Sequence, residues 1–339
     1  MKYQPPYSIT SKIIHLIAQI SENIGRLTVL EEIQDSLKLR KANRIRTIQG
    51  SLAIEGNTLS TEQITAILNG KTVIAPPKEV QEVRNAIKAY EAFQQWQPSQ
   101  ESDLLKAHQI LMTGLIDEVG QYRHSGVGVM SGDRVVHMAP PANQINRLMV
   151  DLLDWLNDSE IHPLIQSSVF HYEFEFIHPF ADGNGRMGRL WQTLILSRWN
   201  PILANIPVES LIHQNQKAYY EALQASTDRT DSAPFIEFIL QMILDAILSS
   251  NEGERNTAQD SDHVTAQAGM QVSDQVKRLI SVMGQEEYTL VELMQLLDLS
   301  HRATFQKNYL NPAIDAGVIE RTIIEKPKSP KQKYRLKKI

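Results

Sequence analysis

The chain has 339 residues, of which 42% are hydrophobic and 22% charged, a balance typical of a globular protein with about two domains. Its formal net charge of −5 gives no overall attraction for nucleic acid or an acidic membrane, so such a partner would need a local basic patch. With no cysteine, the chain has no disulfide, thiolate metal site or cysteine nucleophile. We see no secretory signal or membrane span in the sequence and expect a cytoplasmic protein without a membrane partner.

Helical spacing of apolar residues dominates the chain from about residue 11 to residue 250. Leu148, Leu152 and Leu156 show the pattern, and Ser60 with Gln63 matches a capping box that starts a helix. We therefore predict a mainly α fold for this part. The stretch from Ser51 to Asn57 ends in Gly-Asn, which by itself indicates an ordinary helix end.

One segment between Gly120 and Pro140 departs from the helical pattern. Two short extended pieces flank the sequence Ser131-Gly132-Asp133. This arrangement predicts a β-hairpin on a helical body. The first extended piece consists of Val127, Gly128, Val129 and Met130.

A polar, glycine-rich loop joins two helical segments between His178 and Arg189. Gly183 and Gly185 permit backbone conformations closed to other residues, and free amide groups at the start of the next helix attract anions. Arg186 and Arg189 add positive charge at helical spacing. The loop therefore predicts a polyphosphate site.

Two further side chains of the same loop bring chemistry to that anion site. Asp182 offers a hard oxygen ligand suited to Mg²⁺, which retains most of its waters and bridges phosphate oxygens. His178 offers a base with an ordinary pKa of about 6.5, near neutral pH. His171, Glu175 and His178 also lie at helical spacing, which could place three zinc ligands on one helix face. The opposing interpretation is that His171 is buried in the core and binds no metal.

The C-terminal part is separated by residues 251–272, which contain few large apolar groups and are predicted to be a linker. Three amphipathic stretches follow, around 276–283, 289–297 and 303–316, and then an extended pair, so this part resembles a winged helix-turn-helix. Residues 318–339 carry eight basic and two acidic residues. Such a patch favours DNA, and the open alternative is a module for protein contact or dimerisation.

The loop sequence His178 to Arg189 resembles the motif of the Fic family at every defined position. The resemblance implies an AMP transferase that uses ATP and Mg²⁺ on a Tyr, Thr or Ser hydroxyl of a protein. It implies that His178 is the base, Asp182 the metal ligand, and Arg189 the holder of the γ-phosphate. The remaining phosphate contacts would come from Gly183, Asn184, Gly185, Arg186 and Gly188.

A second match, Ser51 to Asn57, resembles the inhibitory signature of the same family. In that resemblance Glu55, between Ser51 and Gly56, pairs with Arg189 and withholds it from ATP. The hairpin resembles the Fic flap, which would dock the target through Val127 to Met130. Tyr219 and Thr227 correspond to positions near the adenine, although relatives often have asparagine in place of Thr227. The open alternative places Tyr219 in the core and Tyr220 at its rim.

The resemblance also divides the chain. We expect a helical N-terminal region over residues 1–75 with an inhibitory helix at about 46–57, a Fic catalytic domain over 76–250, and a winged-helix-like domain over 273–339. Homodimers are common among relatives, so a second copy is a further expected partner. Two rival functions stay open at this point: removal of AMP from a modified protein in the same site, and DNA-binding regulation by a chain whose Fic site senses nucleotide.

Overall fold

A computed structural model describes residues 2–31, 37–126, 128–131 and 134–263, and then residues 276, 279, 283, 287–297, 305–315, 318–322 and 332–336. The chain forms two compact units, Met1–Ala258 and Gln259–Ile339. Each unit has a hydrophobic core built from its own residues.

Helices build almost all of the first unit, as the apolar spacing predicts. They are α1 Ser11–Glu31, α2 Leu37–Ile54, α3 Thr61–Leu68, α4 Pro77–Ala92, α5 Glu101–Met112, α6 Ile145–Asp158, α7 Pro163–Ile177, α8 Asn184–Trp199, α9 Val208–Gln214, α10 Gln216–Arg229 and α11 Ala233–His263. Short 3₁₀ turns lie at Phe93–Gln95, Ala142–Gln144 and Pro201–Asn205. The predicted capping box at Ser60 and Gln63 starts α3.

The centre of the first unit is the pair α7 and α8, which share the most extensive contact between helices. Buried side chains, polar ones included, lie around nearly the whole circumference of both, so each is a core helix rather than a surface helix. Because both ends of the glycine-rich loop belong to these rigid helices, the loop between them has a defined position.

Helix α2 packs closely on α9 through Gly50. A Cβ atom at this position would lie 2.6 Å from the backbone of Glu209 and Ser210, so only glycine allows the approach. This contact, with others to α3 and α4, fixes the end of α2 that carries Ser51 and Glu55.

The predicted hairpin is confirmed as the antiparallel pair β1 Gly128–Ser131 and β2 Arg134–Met138. Val129 lies opposite His137, and the register shifts between Val129 and Met130. Val127, Gly132 and Asp133 lie outside the described residues.

Helix α11 extends to His263, into the segment predicted to be a linker, and residues 264–272 lie outside the described residues. A helix can continue through residues with few large apolar groups because its backbone hydrogen bonds are all local. The stretch Ala233–Ser250 is long and apolar enough to cross a membrane by length and composition alone, with a mean hydropathy of 1.5. Ile236, Ile239 and Ile243 of this stretch are fully buried in the core of the first unit.

In the second unit the described elements are α12 Leu290–Leu296, a π turn at Gln306–Leu310, α13 Asn311–Asp315, and strands β3 Tyr288–Thr289, β4 Ile319–Arg321 and β5 Lys333–Leu336. The strands form an antiparallel sheet in the order β3-β5-β4. Most of the predicted first helical stretch at 276–283 lies outside the described residues. The mainly α fold with small β elements is confirmed, and the winged-helix assignment stays a prediction.

Candidate active site

His178 ends α7 in a left-handed backbone conformation, with φ 51° and ψ 60°. Its amide still donates to Phe174 at 2.9 Å, and Pro179 then turns the chain away from the helix. The side chain of His178 is half-buried at the start of the loop. An uncommon backbone conformation for a residue other than glycine implies that its surroundings hold it there.

Arg123 is what holds this turn. Its guanidinium, 2% exposed, donates to the carbonyl oxygens of His178 (2.7 Å), Ser125 (2.7 Å), Pro140 (2.7 Å) and Ile177 (3.3 Å). A cation at the C-terminal end of α7 also complements the helix dipole. Arg123 therefore joins the backbone of the candidate base to the foot of the β-hairpin.

The predicted anion site lies at the N-terminus of α8. Gly183 precedes the helix with φ 86°, and no side chain caps the first turn. Uncapped amide groups at a helix N-terminus bind anions, aided by the positive end of the dipole. Gly183 is also required by space, because a Cβ atom would lie 2.6 Å from the sulfur of Met112.

Asp182 lies beside this helix start with its side chain 50% exposed. One carboxylate oxygen accepts from the amide of Gly183 at 2.6 Å and from Arg186 at 3.3 Å. A half-exposed carboxylate next to an anion site suits Mg²⁺, which binds through one or two carboxylates with phosphate oxygens and water.

His108 of α5 packs against the glycine-rich loop at Phe180 and Asp182. Its ring stacks on Phe180 with centroids 3.7 Å apart, Nδ1 accepts from the amide of Gly120 at 3.0 Å, and Nε2 lies 3.0 Å from the carbonyl of Asp182. Because Nδ1 is an acceptor, the neutral ring carries its proton on Nε2 and donates it to Asp182. Burial lowers the pKa of His108 to about 4, so the ring stays neutral at physiological pH.

Asn184 shapes the loop with its side chain. Its amide group accepts from the N–H of Phe180 at 2.9 Å and donates to the carbonyl of Phe180 at 2.9 Å. The residue is 2% exposed and each end of its amide makes one hydrogen bond within the loop, and the phosphate contact of Asn184 stays a prediction.

Arg186 is enclosed by carboxylates and is only 5% exposed. It lies 3.5 Å from Glu82 and 3.3 Å from Asp182, and Glu82 also accepts from Asn57 at 2.8 Å. The chain Asn57, Glu82 and Arg186 thus connects the segment after α2 to the glycine-rich loop. Asn57 therefore does more than end a helix.

Arg189 is bound to the end of α2, as the resemblance implies. Its guanidinium donates to the Ser51 hydroxyl at 3.1 Å, the Ser51 carbonyl at 2.9 Å and the Glu55 carboxylate at 2.7 Å. The side chain of Arg189 is 1% exposed, and that of Glu55 is 33% exposed. Burial disfavours the charge on Arg189, but the nearby Glu55 carboxylate outweighs it and raises the pKa of the guanidinium.

Glu55 reaches Arg189 by passing directly over Gly185. A Cβ atom at residue 185 would collide with the Glu55 carboxylate and would lie 3.0 Å from the Arg189 guanidinium. Gly56 follows with φ 89°, a turn that ends α2 just after Glu55. The absence of a side chain at Gly185 therefore leaves the space at the start of α8 that the Glu55 carboxylate occupies.

Gly188 faces the buried polar groups of α7 rather than the anion site. A Cβ atom there would lie 2.7 Å from the Glu175 carboxyl and 2.9 Å from the His171 ring. Burial raises the pKa of Glu175 to about 8, against the opposing effect of Arg189, so its carboxyl is largely neutral at pH 7. Gly188 is a packing residue in this structure.

His171 is fully buried, as the alternative to a zinc site predicted. Nδ1 lies 2.6 Å from the amide oxygen of Gln192, and Nε2 lies 3.1 Å from the hydroxyl of Tyr219. Both nitrogens are therefore engaged, and burial lowers the pKa of His171 to about 3. Within the part of the chain that the structure describes, no group of three side chains is placed to hold a metal ion.

Of the two residues predicted near the adenine, Tyr219 is buried and Thr227 is half-buried. Tyr219 is 2% exposed, and the Thr227 hydroxyl pairs with Tyr172 at 3.2 Å and with the carbonyl of Leu223 at 3.1 Å. The adjacent Tyr220 is 46% exposed and presents the accessible ring. The structure thus places Tyr219 in the core, and the adenine contact of Tyr219 and Thr227 stays a prediction.

Comparison with known proteins agrees with this geometry. Residues 98–196 match the model of the Fic/DOC family, and residues 274–337 match that of the Filamentation induced by cAMP protein Fic-like, C-terminal domain. The crystal structure of a Fic family protein from Desulfovibrio desulfuricans G20 is 53% identical and covers 99% of both chains, with a TM-score of 0.71. This chain belongs to the Fic family.

Curated relatives of this Fic chain are named as adenylyltransferases. Protein adenylyltransferase Fic of Nematostella vectensis is 31% identical over 63% of this chain and 52% of its own length. Protein adenylyltransferase Fic of Aedes aegypti is 29% identical over 66% of this chain and 47% of its own length. The chain therefore spans about half the length of the curated relatives it matches. Fic-1 from C. elegans, at 23% identity, 73% and 72% coverage and a TM-score of 0.57, shares the fold.

Three residues of this Fic site were not predicted from the sequence: Arg123, His108 and Glu82. Arg123 and His108 act mainly on backbone carbonyl and amide groups, which leave no pattern of paired side chains along the chain. Glu82 lies far in sequence from both Asn57 and Arg186, so only the fold brings the three together. The sequence pointed to this network only through Asn57, the partner of Glu82, which is the last residue of the predicted segment Ser51 to Asn57.

Proposed function

We propose that this chain transfers the AMP part of ATP to a Tyr, Thr or Ser hydroxyl of a protein, and that Glu55 inhibits this transfer. The supporting observation is the contact at 2.7 Å between the Glu55 carboxylate and Arg189, a buried cation beside the anion site. The names of the curated relatives support the same reaction class.

In this reaction the target hydroxyl oxygen bonds to the α-phosphorus of ATP, and the bond from that phosphorus to the bridging oxygen breaks. Pyrophosphate leaves, and His178 accepts the hydroxyl proton. His178 suits this role because Arg123 and the left-handed turn hold it at the start of the anion site. The backbone amides of α8 and Arg189 would hold the phosphates so that the leaving group lies in line with the attack.

Asp182 is the residue that would hold Mg²⁺, since its half-exposed carboxylate borders the anion site. The metal would neutralise charge on the phosphates during transfer. The hairpin would bind the target segment. Its strands β1 and β2 form a two-stranded sheet among the described residues, and an extended peptide can add to the edge of such a sheet.

Inhibition follows from charge and space. With Glu55 on Arg189, the γ-phosphate would lose its cation and face a carboxylate, so ATP would bind in an unproductive position. Because the Glu55 side chain is 33% exposed whereas Arg189 is buried, Glu55 is the partner that can leave.

The test is intact mass spectrometry after incubation with ATP and Mg²⁺, comparing the wild type with Glu55→Gly. We expect Glu55→Gly to gain AMP on itself faster than the wild type, because Arg189 is released and a negative charge is removed. The double variant Glu55→Gly with Arg189→Ala serves as the control and should show no gain. In the Glu55→Gly background, His178→Ala should reduce transfer by about 10² to 10⁴.

Two outcomes would change the assignment. If Glu55→Gly transfers less AMP than the wild type to every acceptor tried, Glu55 is not inhibitory. If the wild type then removes AMP from a modified protein and Glu55→Gly does not, the site positions water through Glu55 and catalyses the reverse modification.

A further inference from the structure

A cavity of about 520 Å³ lies beside the N-terminal half of α2, along residues Arg40 to Ile48. Its walls come from α2, α3, α4 and the 3₁₀ turn at Pro201–Asn205. The floor is aliphatic: Ile45, Ile48 and Ile64 are buried, while Leu68 and Ile87 are half-buried. Nothing in the proposed reaction uses this cavity.

The rim of this cavity is basic on the α2 side. Arg40, Lys41 and Arg44 line it, and Glu91 is the one acidic side chain among the lining residues, all of which the structure describes. Helix α2 as a whole has five basic residues and no acidic ones, within a chain of net charge −5. Local positive charge over an aliphatic floor is complementary to an anionic group attached to an apolar body.

The size of the apolar surface decides between a small ligand and a protein. Ile48 is 2% exposed and Ile64 is 1% exposed, while Leu68 and Ile87 are half-buried, so the open apolar area suffices for a short aliphatic chain but is far smaller than a protein interface needs. A stable protein interface buries about 800 Å² on each side. A ligand with a short aliphatic chain fits a cavity of this volume, since ligand sites typically measure about 300 to 1,000 Å³.

We propose that this cavity binds a small amphipathic anion, with an aliphatic chain on the floor and a phosphate or carboxylate head at Arg40, Lys41 and Arg44. The ligand would bridge α2 to α4 and to the 3₁₀ turn, and so would stabilise the docked position of α2. Ser51 and Glu55 lie on the same continuous helix or at its end. The ligand therefore strengthens inhibition by Glu55, an effect that rests on the proposed function.

Binding is tested by calorimetric titration of the full chain with octyl phosphate, an anion with an eight-carbon chain. We expect saturable binding, with octanol binding at least about tenfold more weakly because it lacks the charge. Arg44→Glu should weaken binding by about tenfold, from one lost attraction and one new repulsion. Arg46→Glu is the matched control: it lies on the same helix, is exposed and does not line the cavity, so affinity should stay within about twofold.

Three results would overturn the site: no saturable binding, equal affinity for octanol, or equal weakening by Arg46→Glu and Arg44→Glu. Binding of an acidic peptide in place of octyl phosphate would assign the cavity to a protein partner and would also overturn the proposal.

The effect on α2 is tested by hydrogen exchange, independently of AMP transfer. The amides of Glu55, Gly56 and Asn57 bond back to Leu52 and Ala53 at 3.0 to 3.1 Å, so their exchange reports on the end of α2. Octyl phosphate should slow this exchange in the wild type and leave it unchanged in Arg44→Glu. Unchanged exchange in the saturated wild type would refute the coupling, whereas failure of AMP transfer in Glu55→Gly would refute the proposed function alone.

Discussion

At the scale of single residues, the candidate site depends on buried polar groups that act on one another. Arg123 and His108 hold the loop through hydrogen bonds to backbone atoms. The buried Arg189 is hydrogen-bonded to Ser51 and Glu55 instead of to water. Groups of this kind are costly to leave without partners. Substituting them should therefore alter stability and geometry together.

Arg123→Lys is expected to lower the free energy of unfolding by about 1 to 3 kcal/mol, because an ammonium group cannot reach carbonyls on both sides of the guanidinium. The turnover number for AMP transfer should also fall, since His178 loses its backbone anchor. Arg147→Lys, an exposed arginine on α6, is the control and should change neither quantity. Urea denaturation and steady-state kinetics measure the two effects. Equal behaviour of the two variants would show that the Arg123 network is unimportant.

Glu175→Gln should make stability less dependent on pH. The pKa of Glu175 is raised by burial from 4.5 to about 8, so the folded state retains a proton that the unfolded state releases. The wild type therefore loses stability as pH rises from about 4.5 to about 8, by up to about 1.4 kcal/mol for each pH unit. Glutamine cannot ionise, so the advantage of Glu175→Gln should grow over that range. Thermal unfolding at several pH values measures it, with exposed Glu118→Gln as the control; a constant difference would contradict the assignment.

At the scale of elements, the important contact is that of α2 with α9, because α2 brings Ser51 and Glu55 to Arg189. This docking depends on Gly50, where the helix backbone comes against the start of α9. The hairpin and the end of α7 form a second such unit, joined by Arg123. Substitutions at either contact should therefore displace Glu55 or His178 without altering those residues themselves.

Gly50→Ala is expected to push α2 away from α9, since the new methyl group would lie 2.6 Å from backbone atoms that cannot yield. Stability should fall by about 1 to 3 kcal/mol, and AMP transfer should rise because Glu55 no longer holds Arg189 as firmly. Gly25→Ala on α1 is the control, because nothing lies within 4 Å of its Cβ position. Differential scanning calorimetry and intact mass spectrometry measure both effects. A destabilised variant with lower or equal transfer would separate α2 docking from inhibition.

At the scale of the whole molecule, the two units have separate hydrophobic cores. The core of the first unit includes Leu152, and that of the second includes Leu293, both fully buried. Because the two cores share no residue among those that the structure describes, the units should unfold as distinct cooperative transitions.

Matched Leu→Ala substitutions test this independence. Leu293→Ala should lower only the transition of the second unit, and Leu152→Ala only that of the first, each by about 2 to 5 kcal/mol. AMP transfer to the chain itself should be unaffected by Leu293→Ala at a temperature below both transitions. Scanning calorimetry gives the transitions. A shift of both transitions by Leu293→Ala alone would show that the units unfold together.

The sequence by itself determined the helical body, the β-hairpin and the family, because these depend on local periodicity and on a motif of adjacent residues such as His178 to Arg189. It also predicted the pairing of Glu55 with Arg189, through resemblance. Only the tertiary structure decided that Asn184 shapes the loop, that Tyr219 belongs to the core, and that α11 continues to His263. It likewise revealed the contacts of Arg123 and the close approach at Gly50. The physical reason is that these depend on burial and on backbone atoms of distant segments, which carry no signature in the order of side chains.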